Sequence, residues 1–459
     1  MKRLLQKLVA FWQRKGVFQP KRASRRKGLG AGFTLIELLV AALIASLLVS
    51  VLLSFLVGVL DSDRKETAKS NAQEELQAAI SYISDDLQES IYIYGSESLA
   101  AINSQLPHTQ TTGATTQCDN TNCTPILVFW KRFSYNPNSL ATYSNPAAEP
   151  QTVKIGCMPY RDQAACNAAT NAFGRDTYTY SLVAYYLKSD SANTSSTWSN
   201  TARILRWELK DGYVAYCSTG EAISSTNANC PETTKQTTRA VNISVNNSAV
   251  SPAIKDTTNY FIVPDKGFNR PDFASSGSLS VLASAWKKFD NFNFSTNPFV
   301  TLVDFMDDTA YAANQGRDND AGTASSATAA GGIKIPIGKN VTKTTSGVTY
   351  TTNPDCDDPS IGVGNANPAS ASNVSGNVTQ RIPANFSDAT NPSGLSSFYA
   401  CVTPESVTAR IFLRGNAIAR LATPTINRDL RKPNTNNITF FPNADVRSFG
   451  RSAVGLKKK

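Results

Sequence analysis

The sequence predicts an α+β chain: a long N-terminal helix, membrane-spanning in its first half, packed on an antiparallel β-sheet head with a long irregular insertion. Three observations predict it. Residues 33–60 form an apolar run with one charge, Glu37. Residues 76–94 carry apolar side chains at helical spacing. Beyond residue 125, alternating or aromatic-rich segments outnumber helical ones, which favours an antiparallel sheet.

The chain begins with a basic leader. Residues 1–32 hold ten Lys and Arg and no acid; removing those ten from 45 leaves 35 basic against 35 acidic residues. The overall charge of +10 is therefore an address and topology signal, and the rest of the chain is formally neutral. That neutrality argues against a nucleic-acid partner. Leu4, Leu5, Leu8, Val9, Phe11 and Trp12 among the basic residues suit a surface-lying amphipathic helix or an unstructured leader equally well.

The run from Phe33 to Leu60 is long enough to cross a bilayer as a helix, at about 1.5 Å per residue. The leader stays cytoplasmic and Asp61–Glu66 lies outside. A secretory signal would place its small-residue site after the apolar core; here the small residues, Gly28 to Gly32, precede it. Glu37 is a carboxylate within a membrane helix, an expensive placement that implies function. Cleavage before Phe33 would free an α-amine able to pair with Glu37 of a neighbouring subunit, so that neither charge stays unpaired in an apolar core.

Leu76, Ile80, Ile83, Leu87, Ile91 and Tyr94 recur every three or four residues and extend the helix to Tyr94, with Gly95 as a C-cap. No proline interrupts residues 33–94. Gly58 is the one interior glycine and costs about 1 kcal/mol relative to Ala.

In the head, Ile126–Trp130 and Tyr178–Leu187 read as buried strands. Leu205, Trp207 and Leu209 alternate with polar residues across Arg203–Lys210. Asp211-Gly212 then signals a hairpin into Tyr213–Cys217. Phe299–Phe305 and Val407–Leu413 are further strands. Residues 309–400, rich in Ala, Thr, Ser, Asn and Gly, form the insertion, and a C-terminal strand region with a basic tail covers 401–459.

Eight cysteines follow the apolar run, and a translocated head favours disulfides over zinc. Their spacing favours sequential pairs: Cys118–Cys123, Cys157–Cys166, Cys217–Cys230 and Cys356–Cys401. Zinc is the weaker reading, since no C-x-x-C occurs and His108 is the one histidine, read as a loop residue. No catalytic constellation stands out, so the chain is read as a non-enzyme without cofactor. No P-loop is present, so energy for any assembly comes from another protein.

Two weak signals remain. Asp318-Asn319-Asp320-Ala321-Gly322 resembles part of a calcium loop, with Asp304, Asp307 and Asp308 as further ligands if folded nearby; a solvated acidic turn is the plainer reading. Trp130-Lys131-Arg132-Phe133 and Trp286-Lys287-Lys288-Phe289 interleave bases with aromatics, as in single-strand or sugar contacts, though core aromatics with solvated bases are commoner.

Gly32-Phe33-Thr34-Leu35-Ile36-Glu37 followed by the apolar helix resembles the class III signal of type IV pilins and type II secretion pseudopilins. The resemblance implies a pilin-like fold and cleavage by a prepilin peptidase between Gly32 and Phe33. It also implies N-methylation of Phe33 and an ion pair between Glu37 and the Phe33 amine. The partners it implies are the peptidase, other pilins or pseudopilins through the N-terminal helix, membrane lipid before assembly, and an inner-membrane assembly platform with its motor ATPase. The place it implies is the inner membrane, single-pass with a periplasmic head, and then a filament. Gly58 is then where the helix bends or unwinds on assembly, or where helices pack closely.

Asp61–Lys69, Glu75–Tyr94, Gln105-Leu-Pro107 and Leu127–Arg132 are similar to the hormogonium polysaccharide secretion pseudopilins of filamentous cyanobacteria. That similarity implies polysaccharide export and gliding motility, with the exported polysaccharide as a partner. The alternatives are a minor pilin priming motility pili, a DNA-uptake pilin, and a signal-anchored periplasmic binding protein that never assembles.

Overall fold

The computed structural model describes residues 34–110, 118–142, 152–157, 177–189, 197–216, 239–242, 260–269, 279–309, 341–345, 348–352, 380–383, 393–395, 397–404, 407–421 and 437–451. The chain divides into two units, residues 1–62 and 63–459. A 54-residue helix, α1 (Leu35–Gln88), contributes to both.

In the first unit the described residues are solvent-exposed throughout and helical from Leu35 on. In the second, α1 buries Leu76, Ala79, Ile80, Ile83 and Leu87 on one stripe. Each fully buried Ile or Leu contributes about 1.5–3 kcal/mol, so this stripe is what holds the helix on the sheet.

α1 ends at Gln88 rather than at Tyr94. Ser90 Oγ donates to the Leu87 carbonyl at 2.6 Å, closing the helix. Ser90–Ile93 is instead strand β1, antiparallel to β2 (Cys123–Tyr135), with Tyr92 opposite Trp130 and Ile93 opposite Phe129. The segment is buried on both sides. β-branched and aromatic residues gain more there from cross-strand packing than from another helical turn.

The main sheet is antiparallel, in the order β1, β2, β5 (Thr177–Ser189), β6 (Ala202–Lys210), β10 (Val300–Met306). The strands expected at 126–130, 178–187, 203–210 and 299–305 all lie in it. One face receives α1. On the other, Trp130, Tyr186 and Trp207 pack against Phe268, Trp286, Phe292 and Phe299.

A second antiparallel sheet runs β13 (Gln380–Ile382), β14 (Phe398–Thr403), β15 (Thr408–Arg414), β16 (Asn443–Phe449). Its apolar face joins the same core. The expected insertion therefore does not run intact to residue 400: β13 and the start of β14 are sheet, and Phe398 and Ala400 are buried. The sheets are tied at their edges. Met306 bridges Gly415, and Arg414 Nε meets the fully buried Asp307 at 2.6 Å. The Arg451 amide donates to the Ser90 carbonyl.

Smaller elements complete the description: α2 (Ser96–Ile102), α3 (Leu279–Ser284), α4 (Ile418–Leu421), the pairs β3 (Leu140–Thr142) with β4 (Thr152–Lys154) and β11 (Val341–Thr345) with β12 (Val348–Thr352), and the sheet β8 (Arg239–Asn242), β7 (Tyr213–Tyr216), β9 (Tyr260–Ile262).

Asp211-Gly212 does not close a hairpin. β6 pairs with β5 and β10, whereas β7 belongs to the separate three-stranded sheet. The dipeptide is a buried corner: Asp211 N–H donates to Tyr180 O, and a Cβ on Gly212 would come within 2.2 Å of the Ile262 carbonyl oxygen. Glycine is needed there for close backbone approach.

His108, expected in a loop, is in a short ordered turn and buried. The turn is the 3₁₀ segment Pro107–Thr109, and the His108 ring lies 5.3 Å from that of Tyr186.

Candidate functional site

The feature that demands a partner is the first half of α1. Eighteen large apolar side chains between Leu35 and Leu60 are exposed. A globular helix hides one apolar stripe; a helix apolar on every side needs a lipid or protein environment all round. Over residues 35–60 it would span about 39 Å, more than the roughly 30 Å of a bilayer's hydrocarbon. α1 is long and apolar enough to cross a membrane, and its place near the N-terminus suits a membrane anchor or a signal sequence. Ser46 suits such surroundings, since its hydroxyl donates to the Leu43 carbonyl at 2.8 Å and leaves no unsatisfied donor.

Glu37 lies in the first turn of α1. Thr34 caps that turn: its Oγ1 accepts the Glu37 amide at 3.3 Å, and its carbonyl accepts the Glu37 and Leu38 amides. The pattern T-x-x-E before an apolar run is a capping signal visible in the sequence. An acid at this position also favours the positive end of the helix dipole. Glu37 thus has a role inside its own helix whether or not it meets another chain. Gly32 and Phe33 lie outside the described residues. Gly58 is helical, and a Cβ there would meet nothing within 4 Å. Among the described residues nothing packs closely on Gly58.

The helix is fixed to the head by a buried charge cluster. Asp86 accepts from Lys131 Nζ at 2.7 Å, Arg206 Nε at 2.7 Å and Tyr185 OH at 2.5 Å. Lys131 also meets Glu89 at 3.2 Å, and Arg206 meets Glu208 at 3.0 Å. Burial alone would raise the Asp86 carboxyl; the Arg206 and Lys131 charges outweigh it and hold it below the usual range. The same balance, burial against the charge of Asp86, leaves Lys131 above its ordinary value. The last turn of α1 has no basic residue of its own, so Lys131 supplies the cation that favours a helix C-terminus.

This cluster overturns the surface reading of Trp130-Lys131-Arg132-Phe133. Trp130 is fully buried with Nε1–H donating to Tyr94 OH at 2.9 Å, and Lys131 is spent on Asp86. Trp286 is likewise core, donating to the Asn269 carbonyl, while Phe289 is exposed.

Cys118 and Cys123 form a disulfide, as the spacing predicts. Asp119 organises the loop between them, accepting from the amides of Thr121 and Asn122. Cys401 is also disulfide-bonded, and its expected partner Cys356 lies outside the described residues. Cys166, Cys217 and Cys230 lie outside them too, as does the Cys157 side chain.

Asp318 and Asp320 are also outside the described residues. Two of the three carboxylates considered with them are occupied by protein donors, Asp304 by Ser199 and Asp307 by Arg414 and Thr309, and Asp308 is buried. Among the described residues no group of three or more His, Cys, Asp and Glu is placed to hold a metal ion.

No family model, curated protein or solved structure matches the chain.

Proposed function

We propose that the chain is a pseudopilin, a minor pilin-like subunit of a type IV pilus or type II secretion-like machine. It is processed between Gly32 and Phe33 and anchored, then packed, by the first half of α1. The observation that carries this reading is the helix apolar on every side from Leu35 to Leu60, with Glu37 as its one charge. Lipid and a bundle of like helices are both dry surroundings, so transfer between them exchanges one apolar contact for another and a separate motor can drive it. The signal Gly32–Glu37 and the α+β head on the second half of α1 support the same reading.

In the cell this subunit supports polysaccharide secretion and gliding motility, a role that rests on the similarity at Asp61–Lys69, Glu75–Tyr94 and Leu127–Arg132. Its partners are the prepilin peptidase, sister subunits, and the inner-membrane platform with its ATPase.

Mass spectrometry of the native N-terminus, with and without the peptidase, tests the processing. We expect a chain beginning at N-methylated Phe33, and a native chain still beginning at Met1 overturns the reading. Shearing separates the assembled subunit from a simple anchored protein, which stays with the membrane. Loss of exported polysaccharide on deletion, with motility pili still present, separates secretion from pilus priming.

A further inference from the structure

We propose that Arg420 is a clasp holding residues 63–75 of α1 on the head, and that this stretch opens by itself while the rest of α1 stays docked. Packing along α1 changes abruptly at Leu76. From Leu76 to Leu87 its buried side chains belong to the main core. A Cβ on Gly415 would stand 3.1 Å from Leu76 Cδ1, so the helix presses on the second sheet from that point. Before Leu76 the buried residues of α1 are Ala68 and Ala72. They form a small cluster of their own with Ala417, edged by the half-buried Leu421 and Phe440. Two methyl groups remove little apolar surface from water, whereas Leu76, Ile80, Ile83 and Leu87 bury whole side chains. A stretch with so few buried apolar contacts opens at a lower free energy than the whole fold.

One side chain offsets that deficit. The Arg420 guanidinium meets Glu75 across 345 positions of sequence, and it lies 4.4 Å from the centre of the Phe305 ring. Arg420, on α4, thus ties α1 to the end of β10. Phe305 is held for this contact. Its φ of 57° lies in the left-handed region, which is costly for a phenylalanine. Two bonds fix it there: Asp304 Oδ1 accepts the Phe305 amide at 2.8 Å, and the Asn416 amide donates to the Phe305 carbonyl at 2.8 Å. The other link along the stretch is weak. Lys69 Nζ lies 4.5 Å from the centre of the Phe440 ring and pairs with Glu66 of its own helix at 2.9 Å.

The clasp is asymmetric. Among the described residues Glu75 is the one acid within ion-pair distance of Arg420. The Glu75 side chain is 46% exposed, that of Arg420 17%, and Arg420 Nε is buried with no acceptor. Deleting Glu75 strands a mostly buried cation in the closed state. Opening the stretch instead hydrates both partners, so the clasp releases at less cost than its loss by mutation. While helical, the opened stretch is a link of about 20 Å, at 1.5 Å per residue, between the apolar helix and the head. This device does not rest on the function proposed above: a chain that retains Met1 leaves it standing.

Hydrogen exchange of the full chain in detergent, read by mass spectrometry, tests this. Amides of residues 66–75 should exchange at least tenfold faster than those of 79–87. R420A should speed residues 66–75 about tenfold more and leave 79–87 unchanged. E75Q breaks the ion pair and leaves the Phe305 contact, so it should speed the same residues by less than R420A. E75Q/R420A should be no faster than R420A, because both changes cut one contact. Equal protection of the two stretches in wild type, no change in R420A or E75Q, equal loosening of 79–87, or additive effects in the double variant overturns the proposal. Should R420A fail to fold, E75Q alone decides by the same comparison of 66–75 with 79–87.

Discussion

Arg206 grips Asp86 through two nitrogens, Nε at 2.7 Å and Nη2 at 3.3 Å, and so joins the end of α1 to the fourth strand of the main sheet. Lys131 and Tyr185 complete the shell around the same carboxylate, so one side chain of α1 is held by three strands, β2, β5 and β6. The pair is buried, and its worth lies less in net attraction than in the penalty for breaking it.

Replacing Asp86 with Ala should therefore cost about 3 kcal/mol, because Lys131 and Arg206 would lose the carboxylate they share and keep only Glu89 and Glu208 as counter-charges. Asn, which keeps an acceptor, should cost less. Urea unfolding at neutral pH measures both. The pH dependence follows from the depressed carboxyl. Its contribution is full above the unfolded value of 3.8 and fades as pH falls through the lower folded value. D86N should flatten that acid limb of the stability curve.

His108 acts in a different window. Burial lowers its pKa from 6.5 to about 4, against a smaller opposing effect of the Asp119 charge. The unfolded chain binds the extra proton first, so stability should fall as pH drops from 6.5 towards 4 and level off below. The loss amounts to about 3 kcal/mol, from 1.36 kcal/mol per pKa unit. H108F should abolish this dependence. With one histidine in the chain, its imidazole resonances report the titration directly.

The Cys118–Cys123 bridge closes a short loop at the start of β2. Chain-entropy reasoning for so short a loop gives about 2 kcal/mol. C118S/C123S should lower the urea midpoint accordingly, with the slope little changed. A larger loss would mean that the Asp119 turn depends on the bridge for its shape.

Glu37 separates two roles by its choice of substitute. Gln at the third helical position still serves a capping box, whereas Ala does not. If Glu37 only supports its own helix, E37Q should behave as wild type and E37A should lose about 0.3–1 kcal/mol of helix stability. If it pairs with the Phe33 amine of a neighbour, E37Q should fail to enter sheared filaments although its processing is normal. Immunoblots of the sheared fraction decide between these outcomes.

Local patterns made much of this chain legible. The apolar run, helical from Leu35 to Leu60, the alternation at Leu205, Trp207 and Leu209, and the stripe from Leu76 to Leu87 all appear where periodicity places them. So does the short disulfide. Each is a signal in which the residues that determine the outcome are close together in sequence.

What failed were readings whose outcome depends on distant partners. Ile91 and Tyr94 keep helical spacing, yet β2 claims their segment as a strand. Asp211-Gly212 is a fair turn signal, yet β6 is already paired on both edges, so the chain must leave the sheet. Lys131 looked like a surface base until Asp86 was brought to it from 45 residues away.

The sequence by itself determined that a uniformly apolar helix with one acid leads into a β-rich head, because hydropathy and spacing are properties of neighbouring residues. Only the tertiary structure decided where α1 stops, which charges are buried, and that Arg420 meets Glu75. Strand pairing and the cost of desolvating a charge are set by residues that meet only after the chain has folded.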